Sequence, residues 1–466
     1  MMKTMKTTTA AVLALTFAAV AATGQTPAGS AAVSADALLS GPMLSYADLR
    51  ETAIWIQTRH AADAQVRFHP EGRPADARLS KVIRTDARDD LIAVFTLSGL
   101  EPGTRYAYEV YLDGRPVARP YPFAFATQAL WRWRTDPPDF TAMFGSCAYV
   151  NDPAYDRPGT PYGSDHEIFD AMAAKKPDLM LWVGDNTYTR EVDFFSPAGI
   201  RYRYGHTRAL PQLQPFLAAT HHYATWDDHD YGPNDSDGTF PLKDVSLDVF
   251  KQYWPNVAYG LRETPGVFHK FQWNDVEFFL VDDRYYRKPE SWPAGPDKTM
   301  LGRVQMDWLK ESLAASRAPF KVVVVGSQAL NPISRSESWA DFETERTELL
   351  DFVRDARVEG VLFLSGDRHM TELIRVDRPG QYPLYDFTSS PLTAGTAAPR
   401  DAERENPHRV AGTLLVEHSF GQLRFEGKPG ARRVRLQAYD KTGILKWEHV
   451  IAQGDLAFPK VPASPR

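Results

Sequence analysis

A single cysteine, Cys147, carries all the thiol chemistry of this 466-residue chain. No disulfide can form within it, so Cys147 is either a small buried hydrophobe or a thiolate with a chemical task. Positive charge is also scarce. Fifty-three Lys and Arg face 59 Asp and Glu, for a formal net charge of −6, which argues against a nucleic-acid-binding surface. Beyond the first two dozen residues no apolar run is long enough to cross a membrane as a helix. No segment recurs at a fixed period, which removes solenoids and propellers from consideration.

What is present begins with a leader. Met1 to Lys6 is basic, Ala10 to Ala22 is small and apolar, and Ala19-Val-Ala21 offers a cleavage site. Residues 1–24 therefore read as a secretory signal peptide, and the protein as secreted or periplasmic. Losing Lys3 and Lys6 with it takes the net charge from −6 to −8. Residues 25–40, rich in Ala, Ser, Gly and Thr, read as a flexible leader. The remaining length suits two or more domains.

From residue 41 to 126 short alternating runs dominate. Ala53–Thr58, Ala64–Phe68, Ile92–Thr96 and Tyr106–Tyr111 read as strands with one buried face, separated by turns at Glu71-Gly72, Pro102-Gly103 and Asp113-Gly114. Leu97–Tyr106 is similar to the loop-into-strand signature of fibronectin type III domains, so 41–126 is expected to be a small β-sandwich. Pro137-Pro138 follows as a linker. Over 139–455 strands alternate with helices, the pattern of an α/β domain. The strands expected are 140–145, 179–183, 222–226, 276–281, 321–325 and 358–364. Helices are expected over 164–176, where Ser164-Asp-His-Glu167 has a capping-box form, and over 302–313 and 343–357. Strands return at 432–439 and 445–450.

The chemistry gathers where those strands stop. Within Thr225–Asp237, five carboxylates (Asp227, Asp228, Asp230, Asp235, Asp237) crowd around His229. Carboxylates this close raise one another's pKa unless a cation sits among them. The other strands run into Ser146-Cys147, Gly184-Asp185, Asp282-Asp283-Arg284, Gly326-Ser-Gln328 and Gly366-Asp-Arg-His369. Ligands of α/β sheets bind at the carboxyl edge of the strands, so these six ends converge on one metal site. Asp282 and Arg284 also read as a structural ion pair.

Gly184-Asp-x-x-Tyr188, Trp226-Asp-Asp-His-Asp230 and Gly366-Asp-Arg-His369, with Leu301–Leu309, resemble the motifs of the alkaline phosphatase D-type (PhoD-like) metallophosphatases. The resemblance implies a calcineurin-like αββα metallophosphoesterase sandwich. It also implies hydrolysis of phosphate mono- or diesters by metal-activated water at an Fe3+/Ca2+ centre. By position, Cys147, Asp185, Tyr188 and His369 would hold the iron. Asp185 would bridge to a calcium held by Asp228 and Asp367. His229 would be catalytic, with Asn234, Arg201 or Arg203 on the substrate side and Asp227 and Asp230 in supporting roles. Asp230 stands where a glutamate is more usual. Lys288–Thr299 is an insertion, a lid or a surface loop. Rival readings are a phosphodiesterase or phospholipase D-like esterase on the same centre, a Cys147 nucleophile activated by His229 or His166, and a calcium-binding surface protein without catalysis.

Overall fold

The computed structural model describes residues 34–334 and 337–459; the expected signal peptide lies outside them. The chain opens with β1 (Leu38–Ala47), β2 (Glu51–Thr58), β3 (Asp63–Pro70) and the short β4 (Arg78–Leu79) and β5 (Ile83–Arg84). Next come β6 (Ile92–Ser98), β7 (Arg105–Leu112), β8 (Arg115–Pro116) and β9 (Ala124–Ala126). Strict alternation in β3 and β7 turns Val66, Phe68, Tyr106, Tyr108 and Val110 inward and leaves their neighbours outside. They pack on Ile54, Ile56, Phe95 and Leu97 of β2 and β6, which closes a small β-sandwich.

Then β10 (Phe140–Gly145), α1 (Glu167–Ala174), β11 (Leu179–Val183), α2 (Pro197–Arg208), α3 (Gln214–Ala219), β12 (His221–Thr225), α4 (Asp228–Tyr231) and α5 (Lys243–Tyr253) follow. β10, β11 and β12 are parallel, and β11 and β12 are buried at every position. That burial on both faces is why β11 reads as an unbroken apolar run, while β12 buries His221 and His222 on hydrogen bonds to the carbonyls of Ser45 and Phe216.

A second sheet contains β13 (His269–Trp273), β14 (Val276–Leu280), β15 (Phe320–Val324), β16 (Val361–Ser365), β17 (Glu372–Val376) and β18 (Leu384–Thr388). α6 (Arg303–Ala315) and α7 (Glu343–Asp355) connect its parallel strands. The closing strands β19 (Ser419–Glu426), β20 (Arg433–Asp440) and β21 (Leu445–Ala452) return to the first sheet. Its order is β21-β20-β19-β10-β11-β12-β1-β2-β6, facing β13-β14-β15-β16-β18-β17.

The two sheets meet through aromatic rings, with Phe425 against Phe278 and Phe320, and Phe144 edge-on to Phe387. Phe169, Met172, Phe216 and Phe250 of α1, α3 and α5 cover the outer face of the first sheet. Met306, Leu309, Leu349 and Val353 of α6 and α7 join the core on the side of the second. The result is an αββα sandwich.

Several elements depart from the sequence reading. Residues 38–40, placed in the flexible leader, belong to β1, whose Leu38 and Ser40 are buried. β1 pairs in parallel with β12, Leu44 opposite His221, so the first layer of the N-terminal sandwich continues the large sheet. The capping box at Ser164 does not form. His166 occupies the cap position of α1, and the Ser164 hydroxyl donates to the Asp165 carbonyl instead. Lys288–Thr299 is closed by the Lys288 N–H donating to the Thr299 carbonyl, and Glu290 accepts the backbone N–H of Glu337.

Space at the sheet interior is tight beside the site. Gly421 of β19 lies opposite Phe144 of β10, and a Cβ there would overlap the Phe144 ring. Gly421→Ala should therefore lose about 1–3 kcal/mol through overpacking. It would show as a lower urea midpoint at unchanged m-value; an unchanged midpoint would mean that Phe144 moves aside without cost.

Candidate metal centre

All six predicted strand ends reach one edge of the sandwich, and a seventh, Ser389-Ser390 after β18, joins them. The turns that follow are unusual in backbone as well as in chemistry. Cys147, Asp185, Asp367 and His369 all adopt left-handed φ, at 61°, 50°, 66° and 54°. Non-glycine residues visit this region at a cost, and they cluster where a site over-determines them. Gly184 precedes Asp185 at φ 90°, and a Cβ there would lie 2.6 Å from Asp227 Cβ. Only glycine lets these two turns approach so closely.

The side chains converge in overlapping groups. Cys147, Asp185 and His369 offer ligand atoms within 4.8 Å of one another, as do Asp185, Asp228 and His229; Asp185, Asp227 and Asp367; and Asp228, Asp235 and Glu337. Asp185 belongs to three of these groups, which makes it the hub. The Cys147 Sγ lies 3.6 Å from Asp185 Oδ2 and accepts from the Ser390 hydroxyl at 3.1 Å. Tyr188 Oη stands 3.3 Å from His369 Nε2, and its ring stacks on His229 with centroids 4.2 Å apart. Tyr162 Oη approaches the other ring nitrogen of His369 at 3.3 Å. Asn234 lines a polar hollow of about 200 Å3 with Asp185, His229, Glu337, Asp367 and His369.

Supporting groups fix the loops. Asp230 is buried and accepts the backbone N–H of Asn186 at 3.0 Å and of Asp227 at 3.1 Å, tying the turn after β11 to the turn after β12. The N–H groups of His229 and Asp235 donate to Asp185 and Asp228. Arg284, fully buried, pairs with Asp227 and reaches Glu337 at 3.2 Å and Asp228 at 3.9 Å.

Electrostatics mark the centre as short of positive charge. Burial, then the charges of Asp228 and Cys147, push the Asp185 carboxyl far above its usual range. Burial raises Asp367 to about 6. Asp228 goes the other way: burial opposes its ionisation, but His229 and Arg284 outweigh burial and hold it low. Two carboxylates this close and this buried titrate as a coupled pair and call for a cation between them. Burial also opposes the Cys147 thiolate, yet the neighbouring His369 charge brings the thiol below its ordinary value. The same pairing lifts His369 to about 9 against the effect of burial. Asp227 Oδ2, Asp228 Oδ1 and His229 Nδ1 are buried with no hydrogen-bond partner among the described residues. Buried polar atoms left so are costly, and their donor set of carboxylate oxygens and an imidazole fits a metal ion.

Three expectations are corrected here. Arg203 is fully buried, paired with Asp193 at 2.8 Å and Asp152 at 3.3 Å, and cannot meet a substrate. Arg201 points its Nε to Gln252, outside the residues lining the hollow. Asp282 is not the ionic partner of the Arg284 guanidinium. It accepts from Trp226 Nε1 and the N–H groups of Val267, Arg284 and Tyr285, which caps that loop. The thiol's partner is His369 rather than His229 or His166, and Cys147 has no exposed surface from which to attack phosphorus. Glu337, missed in the sequence, sits in a loop with no periodic pattern. Its one signal is that it follows the strand end at Gly326–Gln328.

An αββα sandwich whose two sheets end in a buried cluster of carboxylates, imidazoles, a thiol and a phenol is the architecture of a metallophosphoesterase, a metal-dependent hydrolase of phosphoric esters. Residues 146–436 match the family described as PhoD-like phosphatase, and the chain belongs to that family. Residues 35–130 match a domain of unknown function, DUF7800. Alkaline phosphatase D of Bacillus subtilis (strain 168) is 23% identical over 457 residues, covering 79% of this chain and 76% of that protein. A solved structure of PhoD superposes with a TM-score of 0.73 at 16% identity, over 92% of both chains. The purple acid phosphatase PPD1 from yellow lupin seeds follows at TM-score 0.65 and 12% identity, over 91% of this chain and 77% of that one. At such identities the structural likeness speaks for the fold alone. Family membership sets aside the non-enzymatic reading.

Arg284 is the fully buried cation that meets Asp227, Asp228 and Glu337 together. Arg284→Met, which keeps the volume and removes the charge, should cost about 3–5 kcal/mol by stranding Asp227 and Glu337. Chemical denaturation measures it; a loss below about 1 kcal/mol would show that the carboxylates reprotonate freely.

Proposed function

We propose that the protein is an exported phosphatase that hydrolyses phosphate mono- or diesters with Fe3+ and Ca2+. The observation that carries this is the split of the donor set around Asp185. On one side stand a thiol already inclined to ionise, a phenol and an imidazole: Cys147, Tyr188 and His369. Soft and phenolic donors suit ferric iron. On the other side stand Asp228 and Asp367, hard oxygen donors that suit calcium. Bound there, the two cations would supply Lewis acidity and neutralise the charge of the transferring phosphoryl group.

The chain's own residues do the rest. Asp185 is placed to serve both sets. Burial keeps the His229 pKa below its ordinary value, and the ring lines the hollow where it can exchange a proton with an ester oxygen. Asn234 offers an amide to the same hollow. Tyr188 holds the imidazole of His229 flat by stacking. Export is supported by the leader pattern in residues 1–24, and no helix among the described residues is long and apolar enough to cross a membrane. A diesterase reading uses the same groups, and the substrates decide between them.

Element analysis of the purified protein should find iron and calcium, and a phenyl monoester and a bis-aryl diester should be hydrolysed only while both are retained. Cys147→Ser should lose iron, its visible absorption and most turnover while keeping its fold. Full activity after removal of both metals, or a trapped phosphoprotein, would sink the proposal.

A further inference from the structure

A second hollow, of about 560 Å3, opens beside the polar one and shares Tyr162, His229 and Asn234 with it. Its walls are aromatic. Tyr149 meets Tyr162 edge-on at 4.9 Å between centroids and Tyr188 at 5.1 Å, and Phe194 adds a fourth ring. Its charged residues are tied to each other. Arg190 is buried, with its guanidinium over the Tyr149 ring at 3.9 Å and paired to Asp156 at 3.1 Å. Arg157 and Glu191 close an ion pair of 2.7 Å at the rim. Two cations and two anions cancel, so the hollow offers flat apolar surface and no net charge. Beyond it, the chain that carries Phe194 leaves Val192 and Phe195 exposed.

From this we infer that the aromatic hollow is the subsite for the organic group of the ester, and that it selects a neutral aromatic group over a small aliphatic one. The inference rests on the proposed phosphatase reading and narrows its substrate class. Rings that already meet edge-on and stacked present faces on which a further ring can stack. Burial in an apolar slot discriminates by size, since each missing carbon forfeits contact area. The position follows from the shared residues. A phosphoryl group over the carboxylates leaves its ester oxygen at His229 and Asn234, where the aromatic hollow begins.

The test uses the purified full chain with its native metals and four probes. Benzyl- and ethylphosphonate report binding without turnover; benzyl and ethyl phosphate, whose alcohols have similar acidity, report hydrolysis. Calorimetry should find benzylphosphonate bound about tenfold more tightly than ethylphosphonate, the factor expected from one aromatic contact and its area. Phe194→Ala should remove most of that preference with little change for the ethyl compound. Thr160→Trp, on the exposed rim, should obstruct the benzyl compound alone and serves if Phe194→Ala does not fold. Equal binding of both phosphonates by the wild type, or a preference that neither variant changes, overturns the inference. Selective binding without hydrolysis of either ester upholds the subsite and overturns the monoesterase form of the phosphatase reading instead.

Discussion

Gathering carboxylates in a place without water is unfavourable, and the whole catalytic edge is arranged around that constraint. Asp185, Asp227, Asp228 and Asp283 are buried and Asp367 is half-buried, all at the ends of strands that cannot move apart, because the sheets behind them are packed on both faces. Protonation, a guanidinium and metal ions are the three ways to relieve the repulsion. Arg284 relieves Asp227 and Glu337, while burial and the charges of Asp228 and Cys147 push the Asp185 carboxyl toward its neutral form. The unpartnered oxygens of Asp227 and Asp228 mark where these two remedies end. The left-handed turns belong to the same account, because they bring ligand-bearing residues closer than relaxed turns would.

Much of this was legible before any coordinate. Parallel strands buried on both faces tend to be continuous apolar runs, so Leu179–Val183 or Val361–Ser365 declare themselves, and the polar residues that follow are where the chain leaves the core. Six strand ends could therefore be aligned by pattern alone. Other features left no such trace. β1 contains Gly41 and Pro42 and is buried on both sides, so it neither alternates nor forms an apolar run. Glu337 reaches the site from a loop, and no periodicity marks a loop residue.

The arginines show the harder limit. Arg284 directly follows two carboxylates, whereas Arg201 and Arg203 stand in a stretch without Asp or Glu from residue 194 to 226. Which carboxylate each one meets depends on separations across the fold: Arg203 finds Asp152 and Asp193, while Arg284 passes its neighbour Asp282 for Asp227. Three backbone N–H groups and the Trp226 indole claim Asp282 first, since buried donors need an acceptor more than a long flexible guanidinium needs the nearest anion.

The parallel pairing of β1 with β12 has a consequence for how the molecule is assembled. Without β1, the strand that leads into Asp227 and Asp228 would be the rim of its sheet, with bare amides and carbonyls able to recruit any extended chain. The N-terminal segment thus acts as a built-in guard against intermolecular strand addition, and it leaves the ribosome before the edge it protects. A fragment that begins at the catalytic domain would keep every proposed metal ligand and lose that guard.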